Sequence, residues 1–242
     1  MTVHALIPAA GRGERLRTAP PADAASVREP GALPKQFLPV AGRPLLQWAI
    51  ERLRAAGVAS FVVAVPAELL AEATDLLLGT PDVQVVAGGA TRQESVARAL
   101  AASPALADDW VLVHDAARAA VHPSDVEATL RATALGADGA VLGRPVTDTV
   151  KRVVAGVITD TVDRRALFRA ETPQVFRRRL LERALADARA GGFTGTDESS
   201  LVERMPGTRI AAVTAQWPNP KVTFAADLEQ LERLLSAAET RP

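Results

Sequence analysis

The sequence predicts an α/β protein built on a mostly parallel β-sheet with helices on both faces. Two observations indicate this fold. Short, wholly apolar segments of strand character alternate with segments of helical periodicity from residue 3 to residue 142, and 48% of the 242 residues are hydrophobic, enough to bury a large core. Ligands of such sheets bind beyond the carboxyl ends of the strands. Functional residues are therefore expected in the loops that follow the strands.

The elements can be assigned in order along the chain. The first strand is expected at 3–7, and a long connection rich in Ala, Pro and Asp, 18–33, is expected to form a lid, because loops of that length in compact domains usually have a function or are disordered. The next strands are predicted at 61–65, 83–86, 110–113 and 139–142, and the helices between them at 45–56, 68–78, 93–102 and 124–135.

The alternation ends with two β-branched runs, 146–154 and 157–162, joined at Ala155-Gly156. This pattern predicts a β-hairpin arm that leaves the sheet. A second copy of the chain is the simplest partner for such an arm, which predicts a homodimer. A helix at 177–190, a helix start at 196–199, a strand at 209–213 and a last helix at 225–238 follow. We expect one domain spanning 1–242, with the arm at about 146–172.

The composition excludes several classes of function. The 28 basic residues balance the 28 acidic residues, so nothing in the net charge favours nucleic acid or an anionic membrane as a partner. The chain has no cysteine, and its three histidines do not cluster, so disulfides and zinc sites are not expected. No signal peptide is apparent and no apolar run approaches the ~20 residues that span a bilayer, which predicts a cytoplasmic protein.

Lysine is scarce in this chain. Only three of the 28 basic residues are lysines, namely Lys35, Lys151 and Lys221. A sequence so biased toward arginine keeps lysine where a compact ammonium is needed and a planar guanidinium would not fit. The three lysines are therefore candidate site residues, with chance retention as the alternative.

The turn after the first strand has the character of a phosphate-binding loop. Ala9-Ala10-Gly11-Arg12-Gly13 precedes a possible helix start, and glycines permit positive φ and close approach of backbone N–H groups to an anion. Glu14 stands where a P-loop has lysine, and Leu16 stands where the dinucleotide fingerprint has a small residue. The nearby cations are Arg12, Arg15 and Lys35. The alternative for this loop alone is an ordinary βα turn.

Polar residues also follow later strands. A second glycine turn, 88–95, follows the strand at 83–86, and Asp115 follows the strand at 110–113, where a carboxylate could hold a divalent metal or a sugar hydroxyl. The alternative for Asp115 is a helix N-cap. Two of the three lysines lie in the loops 145–151 and 217–223.

Taken together, the motifs resemble the 2-C-methyl-D-erythritol 4-phosphate cytidylyltransferase family of the non-mevalonate isoprenoid pathway. The resemblance runs in order from Val3 to about Leu235. The motifs are P-A-A-G-R-G-E-R-L, P-K-Q-F, G-G-A-T-R-Q-E-S-V, H-D-A-A-R, P-V-T-D-T-V-K, T-P-Q, T-D-E-S-S and N-P-K-V-T.

The resemblance implies a Rossmann-like nucleotidyltransferase fold, a homodimer that exchanges its β-arms, and catalysis with Mg²⁺ that joins CTP to a sugar-alcohol phosphate. By the same resemblance Arg15, Lys35 and Lys221 are the catalytic cations. The nucleotide-binding residues are Ala10, Gly11, Gly13, Gly89, Arg92 and Ser95. The residues around the acceptor are Asp115, Arg118, Thr149, Arg164, Thr172 and Thr196, and Asp115 is also the candidate metal ligand.

Two alternative functions remain open on the sequence. A ribitol 5-phosphate cytidylyltransferase would share nearly all of these loops, although H-D-A-A-R and T-P-Q favour methylerythritol phosphate. A nucleotide-binding homologue without activity could lack transition-state cations, whereas this chain retains them. The departures from the family pattern are the longer 18–33 connection, Ala119, Ala215 and Pro220, and none of them removes a charged group.

Overall fold

The computed structural model describes residues 1–11, 34–224 and 226–239. Residues 12–33 lie outside this description, and with them Gly13, Arg15 and the predicted lid, as does the side chain of Lys35. The strands are β1 Val3–Pro8, β2 Pro39–Val40, β3 Arg43–Pro44, β4 Ser60–Val65, β5 Val83–Ala87, β6 Trp110–Val113, β7 Gly139–Pro145, β8 Val150–Val154, β9 Val157–Val162, β10 Phe168–Arg177 and β11 Ile210–Thr214.

The helices lie between these strands with bounds close to those predicted. They are α1 Leu45–Ala55, α2 Leu70–Leu76, α3 Arg92–Ala102, α4 Pro123–Ala134, α5 Arg178–Ala190, α6 Glu198–Val202 and α7 Ala226–Glu239, with short 3₁₀ turns at Lys35–Phe37, Ala67–Leu69 and Arg164–Ala166. Among the described helices none is long and apolar enough to cross a membrane.

Seven strands form the central sheet in the order β11-β7-β10-β6-β1-β4-β5. β10 runs antiparallel to both of its neighbours, and the other pairs are parallel. The predicted α/β class with a mostly parallel sheet is confirmed. β10 is the strand that the sequence did not predict, because Pro173 and polar residues interrupt its apolar pattern.

Both faces of the sheet are covered, as the continuous apolar strands predicted. In β1, Ala5 and Ile7 pack with α1 and α4 on one face, whereas Leu6 packs with α3 and α5 on the other. The two hydrophobic clusters keep the strand ends in fixed positions. The loops at the carboxyl ends of β1, β5 and β6 therefore start from rigid anchors.

The predicted hairpin is present as β8 and β9, which among the described strands pair only with each other. Ala155 and Gly156 form its turn with φ of 48° and 81°, the positive values that a two-residue hairpin turn of type I′ requires. Four apolar side chains near the tip are more than half exposed: Val153, Val154, Val157 and Ile158. An isolated two-stranded hairpin with this exposure is marginally stable in water.

Candidate active site

A pocket of about 210 Å³ opens at the carboxyl ends of β1, β5 and β6. The loop after β1 borders it on one side and the glycine turn after β5 on the other, with Asp115 from the end of β6 and Lys221 from the loop after β11. Its described lining residues are Pro8, Ala9, Ala10, Gly11, Gln36, Gly89, Ala90, Thr91, Arg92, Ser95, Asp115, Ala116, Ala117 and Lys221. The pocket thus lies where the fold class predicted a ligand.

The glycines of the pocket serve close approach rather than positive φ. A Cβ on Gly88 would lie 2.6 Å from the Ala10 side chain, and one on Gly89 would lie 2.2 Å from that of Glu94. Neither residue has a left-handed backbone, and the same holds for Gly11. Apart from its chain neighbours, no described residue has an atom within 4 Å of the Cβ position of Gly11.

Side chains of α3 fix the turn 88–91. The Ser95 hydroxyl accepts a hydrogen bond from the Gly89 N–H at 3.1 Å and donates to the Thr91 carbonyl at 2.9 Å. A carboxylate oxygen of Glu94 accepts from the Ala90 N–H at 2.8 Å. Ser95 is 1% exposed, so its main contacts are with the turn itself. The turn is rigid before any ligand arrives.

Asp115 is the carboxylate of the pocket, and two cations flank it. Arg92 donates from Nε to Oδ1 at 3.1 Å, and Lys221 donates from Nζ to Oδ2 at 2.6 Å. Burial alone would raise the pKa of Asp115, but Arg92 and Lys221 outweigh burial and hold that pKa well below its ordinary value. Asp115 is no N-cap, because α4 begins at Pro123 and His122 caps it. The carboxylate is therefore ionised at neutral pH and has no proton to give as a general acid.

Arg92 joins Asp115 to a second buried carboxylate. Its Nη1 donates to both oxygens of Glu198, at 2.7 and 2.8 Å, and Glu198 is 1% exposed. Burial raises the pKa of Glu198, and the contact with Arg92 opposes that shift. Burial by itself would lower the pKa of Arg92, yet the two carboxylates raise it above its ordinary value. Arg92 is therefore held in place as a permanent cation.

His114 and Thr172 lock the start of the loop after β6. The Asp115 N–H donates to the Thr172 hydroxyl at 3.0 Å, that hydroxyl lies 3.1 Å from His114 Nδ1, and His114 Nε2 lies 3.2 Å from the Arg118 carbonyl. A carbonyl only accepts, so Nε2 carries the proton and Nδ1 accepts from the Thr172 hydroxyl. Burial lowers the pKa of His114 to about 4. The histidine is neutral and fully buried.

Several contacts anchor the loop that carries Lys221. Arg118 donates from Nη1 to the Asn219 carbonyl at 2.7 Å, and Asn219 Nδ2 donates to Glu171 and to the Thr172 carbonyl at 3.0 and 2.9 Å. Asp125 on α4 accepts from the backbone N–H groups of residues 216 and 217, both at 3.0 Å. Lys221 therefore approaches Asp115 from a fixed loop.

The structure brings part of the predicted set together. The predicted residues that line the pocket are Ala10, Gly11, Gly89, Arg92, Ser95, Asp115 and Lys221. Arg118 and Thr172 lie behind the lining, each in contact with a residue of the loop after β6. Thr149, Arg164 and Thr196 are exposed and are not among the lining residues, and Lys151 lies on the hairpin, where its Nζ donates to the Thr161 hydroxyl at 2.6 Å. Gly13, Arg15 and the Lys35 side chain lie outside the described residues.

Sequence reasoning missed several buried polar residues of this region. The side chain of Gln36 donates to the Ala9 carbonyl beneath the pocket, and Gln36 is 2% exposed. Two others are the carboxylates Glu171 and Glu198, at 4% and 1% exposure. The sequence signals for these two carboxylates were a charged residue directly before T-P-Q, which is Glu171, and another within T-D-E-S-S, which is Glu198. His114 and Asn219 stood inside quoted motifs, but the sequence assigned them no role.

Comparison with known proteins identifies the family. A sequence model of the family described as "IspD: 2-C-methyl-D-erythritol 4-phosphate cytidylyltransferase" matches residues 3–237. Proteins of that name from Acidobacterium capsulatum and Bordetella pertussis are each 42% identical to this chain, covering 95% of both chains in the first case and 96% and 97% in the second.

Solved structures agree in fold. The enzyme of the same name from Thermus thermophilus superposes with a TM-score of 0.74 at 34% identity, covering 98% of this chain and 100% of the other. The Francisella tularensis enzyme gives a TM-score of 0.79 at 27% identity over 97% and 100%. Because the match spans nearly the full length in sequence and in structure, this chain belongs to the 2-C-methyl-D-erythritol 4-phosphate cytidylyltransferase family.

Proposed function

We infer that this protein transfers CMP from CTP to 2-C-methyl-D-erythritol 4-phosphate. The products are 4-diphosphocytidyl-2-C-methyl-D-erythritol and pyrophosphate. The observation that carries this inference is the placement of Asp115, Arg92 and Lys221 at one mouth of a pocket lined by two glycine turns. This is an arrangement for anionic substrates, and it occurs in a chain that matches the family over its full length.

The chemistry requires charge compensation more than proton transfer. A phosphate oxygen of the acceptor attacks the α-phosphorus of CTP, a new P–O bond forms, and the bond from that phosphorus to the β-phosphate oxygen breaks as pyrophosphate leaves. The attacking oxygen is already ionised at neutral pH, so no general base is needed. The barrier comes from bringing two anions together, and preorganised cations lower it.

On the acceptor side we assign this work to Lys221. An ammonium has three donors, and among its contacts with the described residues the hydrogen bond to Asp115 uses one of them, which leaves two for phosphate oxygens. Asp115 holds the ammonium in place, and its pKa, held well below the ordinary value by Arg92 and Lys221 against the effect of burial, keeps it ionised as the counter-charge. Arg118 supports the same region from behind. Thr172 supports the loop, since its hydroxyl is engaged with His114 and the Asp115 N–H.

On the nucleotide side, the cytosine ring is proposed to lie between Ala10 and the Gly89 turn, with the triphosphate running past Gly11. Gly13, Arg15 and Lys35 are proposed to complete the triphosphate site. Arg15 and Lys35 would meet the charge that develops on the leaving pyrophosphate. These three assignments rest on the family motif.

A divalent cation, Mg²⁺, fits the donor set of the pocket. Asp115 is the acidic residue among the described lining residues, and the described part of the chain contains no group of three or more His, Cys, Asp or Glu side chains arranged to hold a metal. Mg²⁺ characteristically uses one or two carboxylates together with substrate phosphates. Asp115 would hold it with the CTP phosphates, and the bound ion would neutralise phosphate charge.

The remaining proposals concern assembly. We propose one domain over 1–242 and a homodimer formed through the arm at about 146–172, supported by the exposed valines and isoleucine of the hairpin. Thr149 and Arg164 flank the hairpin, so arm exchange would carry them to the partner's site. Thr196 is proposed to contact the acceptor. The cytoplasmic location stays a prediction.

The test is an acceptor comparison. The protein is incubated with CTP and Mg²⁺ together with 2-C-methyl-D-erythritol 4-phosphate, with ribitol 5-phosphate, or with no acceptor, and pyrophosphate and the diphosphate product are followed by ³¹P NMR. We expect product with the first acceptor and a kcat/KM at least about 10-fold lower with the second. Greater efficiency with ribitol 5-phosphate, or no turnover with either acceptor, would refute the proposed function.

A further inference from the structure

Glu171 is a buried carboxylate that the reaction described above does not use. It lies in β10 and is 4% exposed. The pairing of β10 with β7 is irregular between Ala170 and Gln174, so Glu171 stands at a bulge. Bulges commonly re-aim a side chain next to an active site. A buried carboxylate is costly unless it is paired, so its partners reveal its role.

Those partners are three arginines and one amide. Asn219 Nδ2 donates to Oε2 at 3.0 Å, which is the shortest of the described contacts. Arg118 Nη1 lies 3.8 Å from the same oxygen, and Arg144 Nε and Arg169 Nη2 each lie 3.5 Å from Oε1. The cluster therefore carries more positive than negative charge. Glu171 holds the guanidinium groups together without neutralising them.

Two of these partners, Asn219 and Arg118, connect Glu171 to the loop that carries Lys221. Asn219 stands two residues before Lys221, and its carbonyl accepts from Arg118 at 2.7 Å. The Val222 N–H, one residue beyond Lys221, donates to the Ala117 carbonyl at 2.9 Å. Glu171, Asn219 and Arg118 thus form one hydrogen-bonded unit between the end of β6 and the loop of Lys221.

This unit already contains buried polar atoms that lack a hydrogen-bond partner among the described residues. Asn219 Oδ1 and Arg118 Nε are buried without a hydrogen-bond partner among the described residues. Buried polar atoms are almost always paired, and each unpaired one is costly. Loss of the Glu171 side chain would leave Asn219 Nδ2 with the Thr172 carbonyl as its described acceptor and would remove the carboxylate that lies 3.8 Å from Arg118 Nη1. Rearrangement of the segment before Lys221 is the expected response.

We propose that Glu171 is a positioning residue that fixes Lys221 and Arg118 for the phosphate group of the acceptor. It acts through Asn219 and does not itself contact substrate. The arginines around it add a positive field that attracts a phosphomonoester dianion. This inference rests on the proposed function for the identity of the acceptor, whereas its structural consequence does not.

The first experiment compares wild type, Glu171→Ala and Asn219→Ala, with Glu182→Ala as a control at a 60% exposed glutamate side chain on α5. We expect both test variants to lower kcat/KM for 2-C-methyl-D-erythritol 4-phosphate about 10-fold or more, with the CTP dissociation constant changed less than about twofold. Because both variants break one path, the double variant should lose little more than either single variant. The proposal would be overturned if the variants lost CTP affinity as strongly as they lost kcat/KM for the acceptor, or if the losses of the two single variants added fully in the double variant.

A second readout is independent of turnover. In a crystal structure of Glu171→Ala, Lys221 Nζ should no longer lie within hydrogen-bond distance of Asp115 Oδ2, although wild type keeps the contact. A variant that retains the 2.6 Å contact and the Asn219 position would overturn the proposal, even if the enzyme used another acceptor. If Glu171→Ala does not fold, Asn219→Ala carries the same test, because it removes the link and leaves the carboxylate in place.

Discussion

Lys221 Nζ lies 2.6 Å from Oδ2 of Asp115, so a cation from the loop after β11 is fixed against a carboxylate at the end of β6.

If Asp115 is the protein ligand of Mg²⁺, Asp115→Asn should raise the Mg²⁺ concentration for half-maximal activity by on the order of 10-fold or more. A Mg²⁺ titration of initial rates at saturating CTP measures this. Asp75→Asn, at an exposed position in α2, is the matched control, and an unchanged Mg²⁺ dependence in Asp115→Asn would contradict the assignment.

Lys35 is expected to act in the transition state. Lys35→Ala should lower kcat on the order of 100-fold or more while CTP affinity changes much less, because the ammonium meets charge that develops on the departing pyrophosphate. Lys35→Arg should not restore the rate, since a planar fork needs a different approach from a point charge. Steady-state kinetics with calorimetric CTP affinities decide this, and Arg233→Ala, at an 82% exposed side chain, is the control. A raised KM for CTP with normal kcat would make Lys35 a binding residue only.

Base selection should follow from the hydrogen bonds of the turn 88–91. The Gly89 and Ala90 N–H groups already donate hydrogen bonds to Ser95 and Glu94. What this turn offers to a nucleobase is therefore its carbonyl acceptors rather than these N–H donors. Cytosine presents an amino donor where uracil presents a carbonyl. We expect kcat/KM with UTP to be on the order of 100-fold lower than with CTP.

The variant Ser95→Ala tests the cause of that preference. It releases the Gly89 N–H, which could then serve the uracil carbonyl, so the ratio of CTP to UTP efficiency should fall. Competitive assays with both nucleotides give the ratio directly. Comparable use of the two nucleotides by wild type would refute the prediction.

Arm exchange predicts complementation between two inactive variants. If Lys35 and Arg164 act in one site from different chains, a mixed dimer of Lys35→Ala and Arg164→Ala contains one intact site. An equal mixture after subunit exchange should then reach about a quarter of wild-type activity. Exchange is monitored with differently tagged subunits. No recovery despite proven exchange would place both residues in the same chain's site.

His114 makes stability depend on pH. Its pKa is about 4 in the folded protein and about 6.5 when unfolded, so the unfolded state binds more protons between these values. The contribution of His114 to the free energy of unfolding is on the order of 3 kcal/mol. It is fully present above about pH 6.5 and is lost as the pH falls toward 4. Urea unfolding from pH 7 to 4.5 should show a shallower decline for His114→Asn. Glu198, with its raised pKa, acts in the opposite direction but is present in both proteins. Identical slopes would contradict the prediction.

The sequence predicted the regular elements well where apolar periodicity determines them. The strand at 110–113 and the hairpin turn at Ala155-Gly156 are examples. It failed at β10, where Glu171, Pro173 and Gln174 interrupt the apolar pattern although all three are buried. The Arg92–Glu198 pair could not be predicted either, since 106 residues separate its members and only the folded sheet brings them together. Motifs identified the pocket, but the buried network behind it required coordinates.

The position of β10 has a consequence for the order in which the molecule can assemble. Within the described sheet, β10 alone joins the pair β7–β11 to the strands β6, β1, β4 and β5, and it follows the hairpin directly along the chain. Until β10 takes its place, β7 therefore has no hydrogen-bonded connection to β6 within the described sheet. Because Glu171 and Thr172 belong to β10, they form their buried contacts only when this strand pairs with β7 and β6. A displacement of the arm by another subunit would be transmitted along this one strand to the end of β6.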